Sequence, residues 1–511
     1  MASRDPGQPN ILLILADDMG PWALRSAGNP EIHTPRLDRL AAEGTRFASF
    51  FCTSPVCSPA RASLLTGRIP SQHGVHDWIR GGNHNLNGTR SIEYLAGFSA
   101  YTDVLASAGY HCGLSGKWHL GAAQTPQRGF EHWYAFPEGA GPYLNPPMFR
   151  DGRLVDERGY ISTLLTDDTL ARIQRSTADE RPFYHSLHFT APHSPWLDQH
   201  PAALVELYES CAFDSCPQEP QHPWAIDSNF VLSHMFSARK HLPLDQIDVR
   251  EYLKGYFAAV TAMDAEIGRI TDYLDEAQLR QSTLVVFLSD NGFNCGHHGI
   301  WGKGNTFPMN MFDTSVKVPA IFSQPGRVAA GVVSDELVSG YDLRPTLLEW
   351  AGLTDPEAAA LPGSSFADLL TGMPSRDRAH VVIFDEYGPV RMIRSKAWKY
   401  VHRYPYGPHE LYDLAEDPDE RHDLYGQTGH GRISEPMKAR LDAWFARWAD
   451  PLRDGSREPV AARGQLTRVG PESNGAHAFH PPETHATWTD AMHGWSTTAA
   501  TTDNPHSGAP Q

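Results

Sequence analysis

Apolar residues fall along the chain in two kinds of pattern. Residues 10–16 and 282–289 hold nearly continuous apolar runs, and residues 183–190 alternate between apolar and polar side chains. Patterns of this length predict strands, and the continuous runs predict strands that are buried on both faces, as in a parallel sheet. Six apolar residues from Tyr256 to Leu274 instead recur every three or four positions, which predicts a long amphipathic helix.

Shorter patterns predict further elements around these strands. Residues 31–44 have one apolar helical face, residues 102–109 predict a second short helix, and residues 110–116 predict a strand. Residues 341–351 predict a helix with one side facing the sheet. Residues 196–244 are irregular and rich in Pro, Asp, Ser and aromatic side chains, so we interpret them as a long insertion that could shape a substrate pocket.

The pattern changes near Ser375. Beyond it, three short segments predict an antiparallel sheet, at residues 381–385, 391–395 and 396–403, and residues 434–448 predict a helix that closes this sheet against the main body. The chain is thus predicted to have three parts: a large α/β domain at residues 1–375, a smaller α+β subdomain at residues 376–453, and a tail at residues 454–511.

The tail is rich in Gly, Pro, Ser, Thr and His and has no sustained periodicity. Disorder is the first expectation for such a composition. Four large apolar side chains argue the other way, because they are costly to leave in water: Phe479, Trp488, Met492 and Trp495. The alternative is a tail that lies across this subunit or across a neighbouring one in a homo-oligomer.

Two predicted strands end in hard oxygen ligands. Asp17 and Asp18 follow the first strand, and Asp290 and Asn291 follow the strand at residues 282–289. Open α/β sheets bind ligands at the carboxyl ends of their strands, and clustered carboxylates repel each other unless a cation joins them. Either pair alone could begin an ordinary loop. Together the four side chains predict a Ca²⁺ or Mg²⁺ site rather than a zinc site.

Cys57 stands where a helix is predicted to begin. Ser58 and Pro59 suit the first helical positions, and residues 60–66 continue the helix. The unpaired N–H groups of a helix start stabilise negative charge, and Arg61, one turn further on, would add its positive charge. The segment therefore predicts an anion site that contains a nucleophile. A buried cysteine that opens an ordinary helix is the alternative.

Composition narrows the choice of partners. The 511-residue chain has 43 Lys and Arg against 60 Asp and Glu, and its formal net charge of −17 argues against nucleic acid as a partner. A long polyanion would also fit poorly, so we expect a small ester or a chain end that a local cationic cluster binds. The chain has no run of 18 or more apolar residues, and its longest early apolar run, Ile11 to Ala16, is too short for a membrane helix or for the apolar region of an export signal. The chain as given is expected to be cytoplasmic unless a leader has been removed.

Cysteine usage does not indicate a disulfide-rich protein. The six cysteines lack the paired spacing of a zinc site, and we expect most of them to be free thiols. A local disulfide between Cys211 and Cys216 is the alternative, which a reducing compartment would prevent.

Five motifs in the correct order resemble those of the type I sulfatases, whose Cys-x-Pro-x-Arg signature marks a cysteine that a maturation enzyme oxidises to formylglycine. The motifs lie at residues 57–61 (CSPAR), 116–121 (GKWHLG), 191–196 (APHSPW), 289–292 (SDNG) and 299–304 (GIWGKG). The resemblance runs from about Asn10 to Leu424. Ala60 stands where the family usually has serine. Asp313 and Lys317 stand where it normally has Glu and Arg, which still allows a local ion pair.

The resemblance implies the fold of the alkaline-phosphatase-like superfamily. In that α/β fold a large, mostly parallel, mixed central sheet is sandwiched by helices, and a small antiparallel-sheet subdomain follows at the C-terminal end. The large domain would then be the catalytic domain. The resemblance further implies that a formylglycine-generating enzyme modifies Cys57. It also implies a divalent metal, Ca²⁺ or alternatively Mg²⁺, with these ligands: Asp17, Asp18, Cys57, Asp290 and Asn291.

The catalytic residues that the resemblance implies are Cys57, Arg61, Lys117, His119, His193 and Lys303. Lys117 and Lys303 would neutralise the sulfate oxygens. Arg61 and His119 would hold the hydrated aldehyde, with His119 as the expected base, and His193 would assist the departing oxygen. A thiolate that attacked sulfur would have no internal means of release, whereas a hydrated aldehyde has two hydroxyls on one carbon, one to attack and one to expel the sulfate.

The predicted activity is hydrolysis of an aryl or carbohydrate sulfate monoester to an alcohol and inorganic sulfate. Two rival functions remain: a phosphonate monoester hydrolase or phosphodiesterase with the same site, and a calcium-dependent carbohydrate-binding protein without catalysis. His76, Asp77 and Trp78 follow the nucleophile helix and could line a pocket for a sugar. They could equally be ordinary loop residues, because loops are commonly polar for structural reasons.

Overall fold

The computed structural model describes residues 8–85, 90–235, 247–304, 306–373 and 383–479. Within these residues one large mixed sheet lies between layers of helices, and a smaller antiparallel sheet follows near the C-terminal end. The predicted fold class, an α/β fold with a small C-terminal antiparallel sheet, is confirmed.

The described strands are β1 (Asn10–Asp17), β2 (Thr45–Phe51), β3 (His111–Lys117), β4 (His132–Phe136), β5 (Pro147–Arg150), β6 (Arg153–Asp156), β7 (Phe183–Pro192), β8 (Thr283–Ser289), β9 (Asn294–Cys295), β10 (Trp301–Gly302), β11 (Lys317–Ser323), β12 (Val332–Ser334), β13 (Val338–Ser339), β14 (Ile383–Tyr387), β15 (Val390–Arg394), β16 (Trp398–Arg403) and β17 (Glu410–Asp413). The described α-helices are α1 (Pro35–Ala42), α2 (Cys57–Thr66), α3 (Pro70–His73), α4 (Tyr101–Ser107), α5 (Ile161–Ala178), α6 (Ala202–Glu206), α7 (Ser228–Phe230), α8 (Val249–Glu276), α9 (Asp313–Val316), α10 (Leu343–Trp350), α11 (Ala367–Leu370) and α12 (Gly431–Trp448).

Strand β1 lies inside the large sheet, whose order is β12-β2-β11-β8-β1-β7-β3-β4-β5-β6. It pairs in parallel with β7 on one side and β8 on the other, so the carboxyl ends of all three strands meet at one edge. Alternate side chains of β1 enter separate cores, since Leu13 packs with residues of α2, α4 and α10, and Ile14 packs with residues of α1, α5 and α8. Each fully buried aliphatic side chain of this kind contributes about 1.5–3 kcal/mol to folding.

The amphipathic helix predicted between Tyr256 and Leu274 is confirmed as α8, which begins earlier than the predicted pattern, at Val249. The Asp248 side chain caps its start by accepting the N–H of Arg250. A side-chain acceptor at this position satisfies one of the backbone donors that a helix start leaves unpaired. The helix therefore begins where the cap lies rather than where the apolar pattern starts.

The small sheet has four antiparallel strands in the order β14-β15-β16-β17, one more than the three strands predicted. Helix α12 covers it, and the rings of Phe384 and Trp444 stack with centroids 4.3 Å apart. The predicted boundary near Ser375 lies outside the described residues, and the three-part division of the chain stays a prediction.

Disorder is the wrong expectation for residues 454–479. Val460, Val469 and Phe479 are each at most 5% exposed and join the same core as α2 and α4. Their burial holds this segment across the main body in spite of its polar composition. The other large apolar residues of the tail, Trp488, Met492 and Trp495, lie outside the described residues.

Three further predictions concern cysteines, membranes and the insertion. All six cysteines lie within the described residues and are free thiols, so a disulfide between Cys211 and Cys216 is absent. In the described part of the chain no helix combines the length and the apolar character that crossing a membrane requires. The described part of the insertion contains α6 and α7 and, together with α8, lines a cavity of about 490 Å³.

Candidate active site

Cys57 is the first residue of α2, at the edge of the sheet where β1 and β8 end. Its side chain is 2% exposed, and its thiol donates to Oδ1 of Asp17 over 3.4 Å. Nζ of Lys303 donates to the Cys57 sulfur over 2.7 Å. Burial and the neighbouring Asp17 carboxylate raise the pKa of the Cys57 thiol to about 12, because both disfavour a thiolate. An unmodified Cys57 is therefore a poor nucleophile at neutral pH.

The four predicted oxygen ligands lie together, because β1 and β8 are adjacent and parallel. Carboxylate oxygens of Asp17, Asp18 and Asp290 lie within 4.8 Å of one another. The amide nitrogen of Asn291 donates to Oδ1 of Asp18 over 2.8 Å. Oδ1 of Asn291 is buried and accepts no hydrogen bond from the described residues. Three carboxylates and one orphaned amide oxygen fit a hard divalent cation.

Three cationic side chains surround these acids. Nζ of Lys117 lies 2.5 Å from Oδ2 of Asp17, and Nζ of Lys303 contacts Oδ1 of Asp18. Burial opposes ionisation of both carboxyls, but the charges of these two lysines outweigh it. The pKa of each carboxyl accordingly lies below its usual value. The acids are thus held in the ionised form that metal binding requires.

Arg61 lies one turn into α2 and is 2% exposed. Its Nε donates to Oδ2 of Asp290 over 2.8 Å, and its Nη1 donates to the carbonyl of Lys117 over 2.9 Å. Its Nη2 makes no hydrogen bond within the described part of the chain and lies 3.6 Å from Oδ1 of Asp17. A buried guanidinium with one free donor nitrogen is suited to binding an anion.

His119 follows β3 with a left-handed backbone at φ 53° and is 3% exposed. Its Nε2 lies 3.0 Å from the carbonyl of Ile79, and its Nδ1 is buried without a hydrogen-bond partner in the residues described. Gly139 packs on this ring so closely that a Cβ at that position would come within 2.4 Å of Cε1 of His119. Burial and the charge of Lys117 keep the pKa of His119 well below its usual value, so the ring is neutral.

His193 follows β7, and a ring nitrogen of it lies within 4.8 Å of a carboxylate oxygen of Asp17 and of the Cys57 sulfur. Its Nε2 lies 3.5 Å from Oδ2 of Asp18, and its Nδ1 donates to the carbonyl of Ser194 over 2.8 Å. The hydroxyl of Tyr143 donates to the carbonyl of His193 over 2.7 Å. Burial lowers the pKa of His193 despite the attraction of the Asp18 carboxylate. The other two histidines of this strand, His185 and His188, are buried in the sheet.

His76, Asp77 and Trp78 do not form an open sugar pocket. They begin a loop at residues 76–83, here called the flanking loop, which lies against residues 460–469, here called the C-terminal strap. His76 and Asp77 are 0% exposed, and Asp77 accepts the hydroxyl of Tyr387 and a backbone N–H of the strap. The Trp78 indole N–H donates to the carbonyl of Ala462. The full burial of His76 and Asp77 argues against direct contact with a sugar, and the substrate-binding role of the three residues stays a prediction.

The structure also adds three residues to the site for which the sequence predicted no catalytic or metal-binding role. Ile79 contributes its carbonyl to His119, Gly139 contributes a surface without a side chain, and Ser58 donates its hydroxyl to the carbonyl of His119 over 2.9 Å. Only Ser58 lies inside a motif. Ile79 and Gly139 act through the backbone, and no residue-type pattern reports such a role.

The chain is similar to known proteins over most of its length. The family model described as sulfatase matches residues 9–353, and the model described as N-sulphoglucosamine sulphohydrolase, C-terminal, matches residues 296–446. The chain is 26% identical to the N-acetylglucosamine-6-O-sulfatase of Bacteroides thetaiotaomicron, with 89% of each chain covered. It is 32% identical to the N-acetylgalactosamine-6-sulfatase of Canis lupus familiaris, over 74% of this chain and 69% of that protein.

One solved structure, of a protein in complex with its substrate D-glucosamine-2-N,6-O-disulfate, superposes with a TM-score of 0.72 at 23% identity. The match covers 88% of this chain and 99% of that one. Within the sulfatase family a divalent metal and formylglycine are the rule. The resemblance drawn from the sequence motifs is therefore confirmed: the chain belongs to the sulfatase family, and it is an enzyme that hydrolyses sulfate esters.

Proposed function

We propose that this sulfatase removes a sulfate group from a sulfated carbohydrate, at a chain end or on a small sugar, with the side chain of Cys57 converted to formylglycine. The observation that carries the proposal is the position of Cys57. It begins α2 beside three carboxylates and is contacted by Lys303. Two curated relatives and one solved structure are named for sulfated amino sugars, and these names support this class of substrate.

Asp17, Asp18, Asp290 and Asn291 would hold the divalent metal, together with the modified side chain of Cys57. The Cys57 sulfur stands in for the oxygen atoms of that modified side chain. Ca²⁺ fits an all-oxygen ligand set of this charge, and Mg²⁺ is the alternative. When bound, the cation would polarise the sulfate ester and favour an attacking oxyanion.

Lys117 and Lys303 would bind the oxygens of the sulfate. The ammonium group of Lys303 already lies 2.7 Å from the Cys57 sulfur, so a sulfate attacked at this position meets it directly. Burial opposes its charge, but Asp18 outweighs burial and raises the pKa of Lys303, so the ammonium stays charged. Fixed charges in a buried site stabilise developing negative charge with little reorganisation.

Arg61 would hold the hydrated aldehyde, whose two hydroxyls on one carbon supply one group to attack sulfur and one to expel sulfate. His119 presents a neutral, unpartnered Nδ1 and would accept a proton from the second hydroxyl. His193 would assist the departing alcohol oxygen from the Asp18 side of the site, where its Nε2 lies. The formylglycine-generating enzyme is the partner that this chemistry requires during maturation.

The proposal is tested by comparing turnover of an aryl sulfate, a phosphate diester and a phosphonate monoester, followed by a panel of 6-O-sulfated amino sugars. We expect the sulfates to be cleaved fastest. An inert sulfate together with rapid cleavage of the diester or the phosphonate would support the alternative, a phosphonate monoester hydrolase. Sugar binding that survives Cys57→Ala, with no turnover at all, would support the binding protein.

A further inference from the structure

The C-terminal strap runs parallel to the flanking loop and is joined to it by backbone hydrogen bonds. The N–H of Gln465 donates to the carbonyl of Trp78 over 2.8 Å. The carbonyl of Gln465 accepts the N–H groups of Arg80, over 2.8 Å, and Gly81, over 3.1 Å. Ile79 and Gln465 thereby form an isolated parallel bridge. The strap thus fixes the backbone on both sides of Ile79.

The side chain of Gln465 holds the same loop a second time. It is 0% exposed, and its Oε1 accepts the N–H of His76 over 2.9 Å. Its Nε2 donates to the carbonyls of Gly74 and Thr467, both over 2.9 Å. The buried amide has its oxygen and its nitrogen both bonded, so Gln465 can sit in only one orientation without leaving a buried polar group unpaired.

Ile79 connects this pairing to the active site. Its N–H donates to the hydroxyl of Ser58 over 3.0 Å, and that hydroxyl donates in turn to the carbonyl of His119. Its carbonyl faces Nε2 of His119. A carbonyl can only accept, so Nε2 must carry the proton and Nδ1 must be the basic nitrogen. The backbone of Ile79 therefore fixes both the position and the tautomer of this ring.

We propose that Gln465 is a positioning residue for His119, acting through the flanking loop and Ile79. This inference rests on the proposed function, which takes His119 as the base. A displaced loop would free the imidazole to rotate or to move its proton to Nδ1. An imidazole with a protonated Nδ1 offers a donor where the reaction needs an acceptor.

Two variants test the proposal without changing a residue of the active site. Gln465→Ala removes the side-chain anchor. Gly81→Ala disturbs the same pairing from the flanking loop, because its Cβ would come within 2.4 Å of the Leu466 carbonyl in the strap. Matched controls are Ser473→Ala, on an exposed turn after the strap, and Gly431→Ala, where a Cβ meets nothing closer than 3.6 Å.

Each full-length variant is assayed for kcat and KM on an aryl sulfate and for amide hydrogen exchange in the flanking loop. We expect Gln465→Ala and Gly81→Ala both to exchange faster at residues 76–83 and to lose about 10 to 100-fold in kcat with KM unchanged. The controls should match the wild type in both measurements. Faster exchange with an unchanged kcat would overturn the proposal, and so would unchanged exchange. If one variant exchanges faster throughout the chain and is therefore unfolded, the other decides the outcome.

A separate readout distinguishes failure of the proposal from failure of the proposed function. Nitrogen-15 NMR of the histidine rings, with His119 assigned by comparison with His119→Gln, reports the tautomer directly. We expect the proton on Nε2 in the wild type and a shifted tautomer balance in both Gln465→Ala and Gly81→Ala. The same tautomer in all three proteins would overturn the proposal. A wild type that cleaves no sulfate would instead contradict the proposed function while leaving this measurement valid.

Discussion

Nζ of Lys303 lies 2.7 Å from Sγ of Cys57, although the two residues are 246 positions apart in the chain. The loop after β10 therefore delivers a buried positive charge to the start of α2. The neighbouring Asp18 keeps that charge in place, because burial alone would favour a neutral amine. This pair joins the predicted nucleophile to the predicted sulfate-binding group.

Lys303→Ala should therefore lower kcat on an aryl sulfate by about 10² to 10³-fold, the usual loss when one group that stabilises developing charge is removed. Lys303→Arg should retain more activity than the alanine variant. The matched control is Lys396→Ala, because Lys396 is an exposed side chain that pairs only at the surface with Asp335 and Glu336. Equal activity of Lys303→Ala and the control would contradict the assigned role.

Asn291→Ala should weaken metal binding more than it weakens folding. The orphaned Oδ1 of Asn291 is the neutral oxygen of the proposed metal site, and loss of one ligand or of its support typically costs about 10 to 100-fold in affinity. Isothermal titration with Ca²⁺ and with Mg²⁺ after chelation measures the change and identifies the preferred ion. Asn229→Ala, at an exposed position of α7, serves as the control. Unchanged affinity would remove Asn291 from the ligand set.

Metal binding to the folded protein alone should also raise its thermal stability. The rise in melting temperature that excess Ca²⁺ causes should therefore be smaller in Asn291→Ala than in the wild type.

Gly139→Ala should lower kcat by about 100-fold, because its Cβ would press on the His119 ring and a displacement of about 1 Å in a catalytic group has an effect of this size. Gly431→Ala, where a Cβ has room, is the control for the change of residue type. Circular dichroism should show an intact fold in both variants. A fully active Gly139→Ala would show that His119 does not act from the position described.

Asp264 should make stability fall as pH rises from about 4 to about 7. This carboxyl of α8 is buried and accepts the N–H groups of Arg36 and Leu37 at the start of α1. Burial raises its pKa to about 7 from an ordinary value of 3.8. Between these values the unfolded chain has lost the proton and the folded chain retains it, so each pH unit costs the folded state up to about 1.4 kcal/mol.

Asp264→Asn should remove this slope. Urea unfolding of both proteins at several pH values checks the prediction through the difference in their free energies of unfolding. As the pH rises towards 7, the free energy of unfolding of the wild type should fall relative to that of Asp264→Asn. A difference that is constant with pH would contradict the raised pKa.

The sequence alone was sufficient to predict the elements that bring the acids together. The apolar runs that become β1 and β8 each stop at hard oxygen ligands, and parallel neighbours place those ends at one edge of the sheet. Lys117 and His193 come to the same edge because they lie at the carboxyl ends of β3 and β7, which are parallel to β1 in the same sheet. Such features are local, and a pattern of residue types encodes them.

The support of His119 could not be predicted in this way. Ile79 acts through its carbonyl and Gly139 through the absence of a side chain, and neither role restricts the neighbouring sequence. Gln465 lies in a segment whose composition indicates disorder, yet its amide is fully buried against a loop far away in the chain. Long-range pairing of this kind depends on tertiary packing, which outweighs composition.

The proposed mechanism requires that Cys57 is converted to formylglycine. The most direct test is the mass of the peptide that carries Cys57, taken from a preparation that cleaves an aryl sulfate. The mechanism predicts that this peptide has lost the thiol and carries the aldehyde, and that Cys57→Ala is inactive. An unmodified thiol at Cys57 throughout an active preparation would contradict it.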